Sequence, residues 1–273
     1  MPARVSSFVI FLQPPPSPPP TVRGPSTPLR KASASLRMTV GVPSRFAPLQ
    51  ESFIILSSMN LFLTGTDTNV GKTYAAALLI RALRAAGCDC VGMKPICCGE
   101  RTDADELHAA SDRAISLNEV NPVWLRPPAA PYTAAMIENR QIDLALIREN
   151  FARLRSAHES LIVEGAGGWL VPIARDIFVA DLAAEFAMPV AVVVANRLGA
   201  LNHTLLTVQA IRARGVKCAG IILSHTHPPT DPPDIAATTN RSMLEDLLDV
   251  PILFEIAFGQ QSIVLEWPNR LLK

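Results

Sequence analysis

The chain has 273 residues, of which 49% are hydrophobic, and its formal net charge is +1. This length suffices for one α/β domain or two small ones with a sizeable core. The nearly neutral charge gives little electrostatic support for nucleic-acid binding, and no apolar segment is long enough to predict a membrane span.

The first 58 residues differ in composition from the rest of the chain. They contain 11 of the 24 prolines, six basic residues and one acidic residue. The whole chain has 25 basic and 24 acidic residues, so residues 59–273 keep 19 and 23 of them, a net charge of −4. We expect residues 1–58 to be a disordered, proline-rich extension and residues 59–273 to form a single domain. The extension could be a disordered arm, an organelle transit peptide or the product of a misplaced start codon, and Met59, just before the first predicted strand, favours the last interpretation.

The cysteines indicate a reducing compartment. There are five of them: Cys88, Cys90, Cys97, Cys98 and Cys218. An odd number without the spacing of a secreted framework predicts reduced thiols and a cytoplasmic location. Their spacing does not match that of a zinc ribbon, so we expect no thiolate metal site.

From residue 59 onward, apolar runs alternate with helical patterns. In chain order we expect strand 61–65, helix 73–87, strand 90–96, helices 103–112 and 143–158, strand 160–168, helix 179–187, strand 189–196, helix 202–215, strand 218–225, helix 241–248 and strand 251–256. Continuous apolar strands separated by helices predict an α/β fold, with a Rossmann-like, mostly parallel, doubly wound sheet flanked by helices. Such sheets bind ligands beyond the carboxyl ends of their strands.

The stretch "GTDTNVGKT" (65–73) follows the first predicted strand and resembles a phosphate-binding loop. The general pattern is G-x-x-x-x-G-K-[ST], and here the interval from Gly65 to Gly71 is one residue longer. Gly71 would let the backbone approach a phosphate, while Lys72 would reach the β- and γ-phosphates. Thr73 would offer its hydroxyl to Mg²⁺. The sequence therefore predicts a P-loop NTPase fold that binds a nucleoside triphosphate.

Charged residues follow other predicted strands. Glu164, at the end of the strand in "LIVEGAGG", is placed to be a second magnesium ligand, although a cap before a glycine turn is the alternative. Lys94 could neutralise charge on a transferring phosphoryl group, or it could be a surface lysine. Asp103 and Asp105 open a predicted helix, where each could cap the helix or complete the magnesium shell.

Four stretches together, "GTDTNVGKT", "KPICCG", "VEGAGG" and "ANRLGALNHTLLTVQAI", resemble the dethiobiotin synthetase family over residues 60–260. This resemblance implies a homodimer with ATP, CO₂ and 7,8-diaminopelargonic acid as substrates and Mg²⁺ as cofactor. In the implied reaction CO₂ adds to one amine as a carbamate, ATP phosphorylates the carbamate, and the second amine closes a cyclic urea to give dethiobiotin.

The resemblance also implies roles for individual residues. ATP would contact Asn69, Val70, Gly71, Lys72, Thr73, Tyr74, Asp103, Glu164, Gly165, Ala166, Gly167, Ser224, His225, Ala257, Phe258 and Gly259. Mg²⁺ would be held by Thr73, Asp103 and Glu164, and the catalytic residues would be Lys72 and Lys94. The diamine substrate would contact Thr68, Cys98, Gly199, Ala200, Leu201 and Asn202, the last four as a helix N-terminus facing the substrate carboxylate.

Three positions depart from the family pattern. Cys98 stands where the family has a serine, and Ser224 stands where the family often has an asparagine for the adenine. Residues 257–259 replace a turn that contains proline.

Two other functions stay open. A nucleotide-switch ATPase of the partitioning or septum-positioning type would usually carry a further lysine early in the loop, where this chain has Thr66 and Asp67. A protein that binds nucleotide without catalysis is the third possibility.

Removal of residues 1–58 should leave folding and activity unchanged, because the predicted core begins at Met59. Circular dichroism, thermal unfolding and activity assays of a chain that starts at Met59 would test this. Precipitation of the shortened chain would show instead that the extension stabilises the fold.

Overall fold

A six-stranded parallel sheet forms the centre of the computed structural model, which describes residues 59–263. The predicted extension of residues 1–58 lies outside the described residues. The elements in chain order are β1 (Asn60–Gly65), α1 (Lys72–Ala85), β2 (Cys90–Met93), β3 (Ile96–Cys98), α2 (Thr102–Ala110), α3 (Leu117–Val120), β4 (Val123–Leu125), α4 (Pro131–Ile137), α5 (Leu144–Ala157), β5 (Ser160–Gly168), β6 (Pro172–Ala174), β7 (Ile177–Phe178), α6 (Val179–Glu185), β8 (Val190–Ala195), α7 (Ala200–Ala213), β9 (Cys218–Ser224), α8 (Ile235–Leu247) and β10 (Ile252–Ile256).

The strands of the main sheet lie in the order β10-β9-β8-β1-β5-β2, and each adjacent pair runs parallel. All six residues of β8 and five of the six in β1 are buried. Burial of successive residues means that both faces of the sheet are covered, which explains the continuous apolar runs in the sequence. The predicted doubly wound parallel sheet is therefore confirmed.

The predicted strand 90–96 is interrupted. β2 ends at Met93, and β3 begins at Ile96 and pairs with β4 in a separate two-stranded sheet. Pro95 lies in the break and has no N–H group to donate to a strand partner. The interruption turns Lys94 away from the ladder at the carboxyl end of β2.

Several short elements escaped the sequence analysis. No element was predicted between residues 113 and 142, where the structure contains α3, β4 and α4. These have only three to seven residues each, too few for a hydrophobic period to be recognised. Helix α8 begins at Ile235 instead of residue 241, because the Asp234 carboxylate caps it by accepting a hydrogen bond from the Ala236 N–H.

Gly165 lets β5 pass close to its neighbours just after Glu164. A Cβ atom at Gly165 would lie 2.8 Å from Cγ1 of Val179 and 3.0 Å from Cε1 of Phe62. The glycine therefore sets how deeply the strand sits between β1 and α6, and with it the position of the neighbouring carboxylate.

In the part of the chain from residue 59 to residue 263, no helix combines the length and the hydropathy needed to span a membrane.

Substitution of Gly165 by alanine should lower the free energy of unfolding by about 1–3 kcal/mol, because the added methyl group overpacks the contact with Val179. Urea unfolding would measure the loss. Adding Val179→Ala to Gly165→Ala should recover part of it by making room for the methyl group. A Gly165→Ala variant as stable as the unchanged chain would contradict the close packing.

Candidate active site

The loop between β1 and α1 presents free backbone N–H groups beyond the sheet. Asn69 and Gly71 have φ angles of 58° and 91°, both in the left-handed region. Gly71 precedes α1, and the N–H groups of residues 72–74 have no hydrogen-bond partner among residues 59–263. A Cβ atom at Gly71 would lie 2.5 Å from Oγ of Ser224, so only glycine fits there. This loop provides the helix N-terminus and amide groups that bind phosphate.

Lys72 is buried within the same loop. Its Nζ donates a hydrogen bond of 3.0 Å to the Asp67 carbonyl, and the residue is only 6% exposed. Burial lowers the pKa of Lys72 to about 8, with Glu164 opposing and Lys94 adding to the shift. The ammonium group therefore lacks a full counter-charge, which an anionic ligand would supply.

A second lysine lies between two carboxylates. Nζ of Lys94 donates hydrogen bonds of 2.7 Å to Oδ2 of Asp103 and 2.5 Å to Oε1 of Glu164. The topology explains the contact, because Met93 and Val163 are paired in β2 and β5 and the two charged residues follow them directly. Burial alone would lower the pKa of Lys94, but Glu164 and Asp103 hold it above its ordinary value. Burial would raise the pKa of Asp103, and the Lys94 ammonium holds it below its ordinary value.

The oxygen atoms in this cluster are suited to Mg²⁺. Oγ1 of Thr73 donates a hydrogen bond of 3.0 Å to Oε1 of Glu164. The other carboxylate oxygen of Glu164, Oε2, is buried and has no hydrogen-bond partner within residues 59–263. An unpaired buried carboxylate oxygen beside a hydroxyl and a second carboxylate matches the hard oxygen ligands of Mg²⁺. Among the described residues no group of three or more His, Cys, Asp or Glu residues is arranged to hold a metal, so substrate oxygens and water would have to complete the shell.

These groups open into one cavity of about 580 Å³ at the carboxyl end of the sheet. It is lined by Thr68, Asn69, Gly71, Lys72, Thr73, Tyr74, Lys94, Asp103, Glu164, Gly167, Ser224, His225, Thr226, Phe258, Gly259 and Gln261. The lining comes from the ends of β1, β2, β5, β9 and β10 and from the first turns of α1 and α2. Its volume suits a small-molecule ligand.

The chain is similar to known proteins in sequence. Residues 59–262 match a family described as an AAA domain. The ATP-dependent dethiobiotin synthetase BioD of Akkermansia muciniphila is 46% identical over 201 residues, which cover 74% of this chain and 93% of that protein. The protein of the same name from Anaeromyxobacter dehalogenans is 48% identical over 176 residues, 63% of this chain and 79% of that protein. The chain belongs to the dethiobiotin synthetase family.

The predicted resemblance to dethiobiotin synthetases is therefore confirmed, and so is the prediction of an ATP-dependent enzyme. Among solved structures, the septum site-determining protein MinD of Pyrococcus horikoshii, complexed with Mg-ADP, is 16% identical and covers 73% of this chain and 81% of that one, with a TM-score of 0.45. The chloroplast FtsY of Physcomitrella patens is 15% identical, covers 78% and 63%, and also has a TM-score of 0.45. At these values neither structure supports an argument about function.

Most residues predicted from the dethiobiotin synthetase pattern line the cavity, and the others are not among its lining residues. Val70 is buried behind the loop, while Gly165, Ala166 and Ala257 adjoin lining residues in the chain. Two further residues, Thr226 and Gln261, line the cavity without having been predicted. Each lies a few residues beyond a predicted strand, and that position is the signal that could have identified them.

Of the residues expected to contact the diamine substrate, one lines the cavity and the others do not. Thr68 lines the cavity, whereas Cys98 lies on β3 outside the lining. Gly199 has a φ of 92° and precedes α7, and the run from Gly199 to Asn202 also lies outside the lining. The N–H groups of Leu201 and Asn202 have no hydrogen-bond partner among the described residues, so this helix end can receive a carboxylate.

Asn121, which the sequence analysis assigned no role, fixes the turn that carries Lys94. Its Nδ2 donates hydrogen bonds of 2.8 Å to the carbonyl groups of Lys94 and Val123. Its Oδ1 accepts a hydrogen bond from Nε of Arg101. The side chain is thus fully bonded, and it is 1% exposed. Single-sequence patterns do not show such a contact, because its partners come from separate elements.

Replacement of Lys72 by methionine should stabilise the nucleotide-free protein near neutral pH. The pKa of Lys72 is about 8 in the folded chain and about 10.5 in an unfolded one, so the unfolded state binds more protons between these pH values. The free energy of unfolding of the unchanged chain therefore rises with pH across this interval. Lys72→Met should raise the free energy of unfolding by on the order of 3 kcal/mol at neutral pH, and this difference should become smaller as the pH rises towards 10.

Urea unfolding at about pH 7 and about pH 10 would measure this difference. Lys217→Met, which removes an exposed lysine, is the matched control for the general effect of pH. A Lys72→Met variant less stable than the unchanged chain at neutral pH would contradict the assignment of an under-compensated buried charge.

Proposed function

We propose that the chain converts 7,8-diaminopelargonic acid, CO₂ and ATP into dethiobiotin, ADP and phosphate. One observation carries the proposal. The P-loop lysine Lys72 and the buried lysine Lys94 line one cavity together with the oxygen groups of Thr73, Asp103 and Glu164. Two ammonium groups beside free loop amides form an anion-binding pocket, as a carbamate and a triphosphate require.

The first step forms the carbamate. An amine of the substrate attacks the carbon of CO₂, a C–N bond forms, and the amine loses a proton to water. The product carries a negative charge on its carboxyl oxygens. Lys72 and Lys94 stabilise this charge in a site where little water competes, since they are 6% and 3% exposed.

The second step transfers a phosphoryl group. A carbamate oxygen attacks the γ-phosphorus, the bond from that phosphorus to the oxygen bridging to ADP breaks, and a carbamic-phosphoric anhydride forms. The loop amides and Lys72 hold the phosphates, and Lys94 faces the transferred group. Thr73, Asp103 and Glu164 would hold Mg²⁺, which when bound neutralises charge on the phosphate oxygens.

The third step closes the ring. The second amine attacks the carbamate carbon, a second C–N bond forms, and the carbon–oxygen bond to phosphate breaks. Phosphate leaves with the electron pair, and the attacking amine loses a proton to water. We assign to Lys94, which lines the cavity, the stabilisation of the departing phosphate.

The far end of the substrate requires a carboxylate site. We assign this role to the N-terminus of α7, with Thr68 and Cys98 near the diamine. Leu198 is 82% exposed beside this helix end, and Leu206 on the same helix is 58% exposed. A second copy of the chain would cover these apolar side chains, which supports a homodimer whose active site uses the helix end of a partner.

The alternative function is a nucleotide-switch ATPase. The loop carries Thr66 and Asp67 where such proteins usually have a further lysine, and the close relatives are named dethiobiotin synthetases. A switch ATPase would release phosphate without the diamine.

Phosphate release from ATP should require both diaminopelargonic acid and bicarbonate, and Lys94→Ala should lower its turnover by about 10²- to 10³-fold. ATP affinity should stay near normal, because Lys94 acts on charge that develops during the reaction. A phosphate-coupled assay and equilibrium ATP binding would measure the two effects.

Two controls separate loss of the ammonium group from loss of side-chain volume and from a general effect of lysine removal. Lys94→Met keeps the length of the side chain and should behave like Lys94→Ala in turnover, while Lys217→Ala should leave turnover unchanged. Diamine-independent phosphate release would favour the switch ATPase, and unchanged turnover in both Lys94 variants would remove this lysine from the mechanism.

A further inference from the structure

A hydrogen-bonded cluster joins the carboxyl ends of β8, β9 and β10 beside the cavity. We call it the His225 cluster, and it consists of Asn196, His225, Asn240, Arg241 and Glu255. Nε2 of His225 lies 2.6 Å from Oε1 of Glu255 and 3.3 Å from Nδ2 of Asn196. His225 is the member of the cluster that lines the cavity.

The contacts of the Asn196 amide show which groups donate. Its Nδ2 contacts the Ala237 carbonyl at 2.9 Å and Oε1 of Glu255 at 3.2 Å, and both atoms are acceptors. Its Oδ1 accepts a hydrogen bond of 2.9 Å from Nδ2 of Asn240. Both amide hydrogens of Asn196 are thereby used, so none remains for His225.

Glu255 therefore determines the tautomer of the His225 ring. Its second oxygen lies 3.4 Å from Nη1 of Arg241, so the carboxylate pairs with a guanidinium group as well as with the imidazole. An ionised carboxylate only accepts hydrogen bonds, so Nε2 of His225 carries a proton and donates it to Glu255. In a neutral imidazole the other nitrogen, Nδ1, is then a bare acceptor.

The Nδ1 atom is available to a ligand. It has no hydrogen-bond partner within residues 59–263, and it is not one of the fully buried unpaired atoms of that range. The neighbouring Ser224 packs its hydroxyl against the P-loop, since its Oγ lies 2.5 Å from the position that a Cβ atom on Gly71 would occupy. Both residues line the cavity, and because the Ser224 hydroxyl faces the loop, we expect His225 to be the one that contacts a nucleobase.

We propose that His225 selects a nucleobase with an exocyclic amine, by accepting a hydrogen bond from that amine at Nδ1, and that Glu255 is the positioning residue that places the proton of the neutral ring on Nε2. Adenine and cytosine carry such an amine. Hypoxanthine, guanine and uracil place an oxygen acceptor there and would face a second acceptor. Phe258 lines the same cavity and offers an aromatic face to the base.

This inference rests on the proposed function, because it requires a nucleoside triphosphate in the cavity. The probes are ATP and inosine triphosphate, which carry an amine or an oxygen at C6 with the accompanying proton change at N1, and CTP and UTP, which differ in the same way at C4 and N3. Competition against a fluorescent ATP analogue on the full chain with Mg²⁺ gives the dissociation constants.

ATP should bind about tenfold more tightly than inosine triphosphate, because the C6 oxygen of inosine triphosphate would face Nδ1 of His225, and both atoms are acceptors. The CTP/UTP pair should show the same direction, and comparison of ATP with CTP shows which base the cavity fits. His225→Phe keeps a ring without the acceptor and should bring the ATP/inosine triphosphate ratio to about one.

Glu255→Gln should also lower the ratio, because an amide can donate to Nε2 and move the ring proton to Nδ1. Glu245→Gln is the matched control, since Glu245 also pairs with Arg241 but has no contact with His225, and it should keep the ratio. A loss of general stability weakens both nucleotides alike, so the ratio separates positioning from folding.

Two results would overturn the inference: equal binding of ATP and inosine triphosphate by the unchanged chain, or an unchanged ratio in both His225→Phe and Glu255→Gln. Phosphate release dependent on diaminopelargonic acid, measured in parallel, separates the two proposals. Its absence with the selectivity intact would refute only the proposed function, and its presence without selectivity would refute only the inference.

Discussion

A buried ammonium group between two carboxylates is the interaction on which the site depends. Lys94 touches Asp103 and Glu164, which come from α2 and β5, so one side chain joins three elements at the edge of the sheet. Removal of one partner from such a cluster would leave an unpaired buried charge, which is far more costly than the pair itself is favourable. The position of Lys94 is in turn held by Asn121 and by the break at Pro95.

The lysine of the P-loop, in contrast, has no carboxylate bound to its ammonium group among the described residues. Lys72 is nearly as buried as Lys94, but its nearest hydrogen-bond partner is a carbonyl group, and its pKa is lowered where that of Lys94 is raised. Lys94 thus stays protonated with carboxylate partners inside the protein, whereas Lys72 and the free loop amides remain under-compensated. Positive potential held in place before the ligand arrives costs folding stability, and it lets the site bind anionic groups without rearranging.

The sequence predicts the main sheet, the loop and the charged cluster because each rests on local signals. Long apolar runs mark β1, β5, β8 and β9, and Lys94 and Glu164 directly follow the apolar runs of β2 and β5. The short elements between residues 113 and 142 give no such signal, since tertiary contacts rather than periodicity hold them. Asn121 and the His225 cluster could not be predicted for a related reason: their hydrogen bonds join residues up to 59 positions apart, which no spacing rule encodes.

The two ends of the cavity obey different physical constraints. Phosphate binding uses backbone N–H groups and glycines with positive φ, so Gly71 has no substitute and the loop matches the family pattern closely. A base is read by side-chain hydrogen bonds, and one acceptor can replace another if its protonation is controlled. His225 with Glu255 beside it can meet that condition where the family often uses an asparagine amide. Departures from the family pattern therefore fall at residues expected to contact the base or the diamine, where a different side chain can supply the same hydrogen bond.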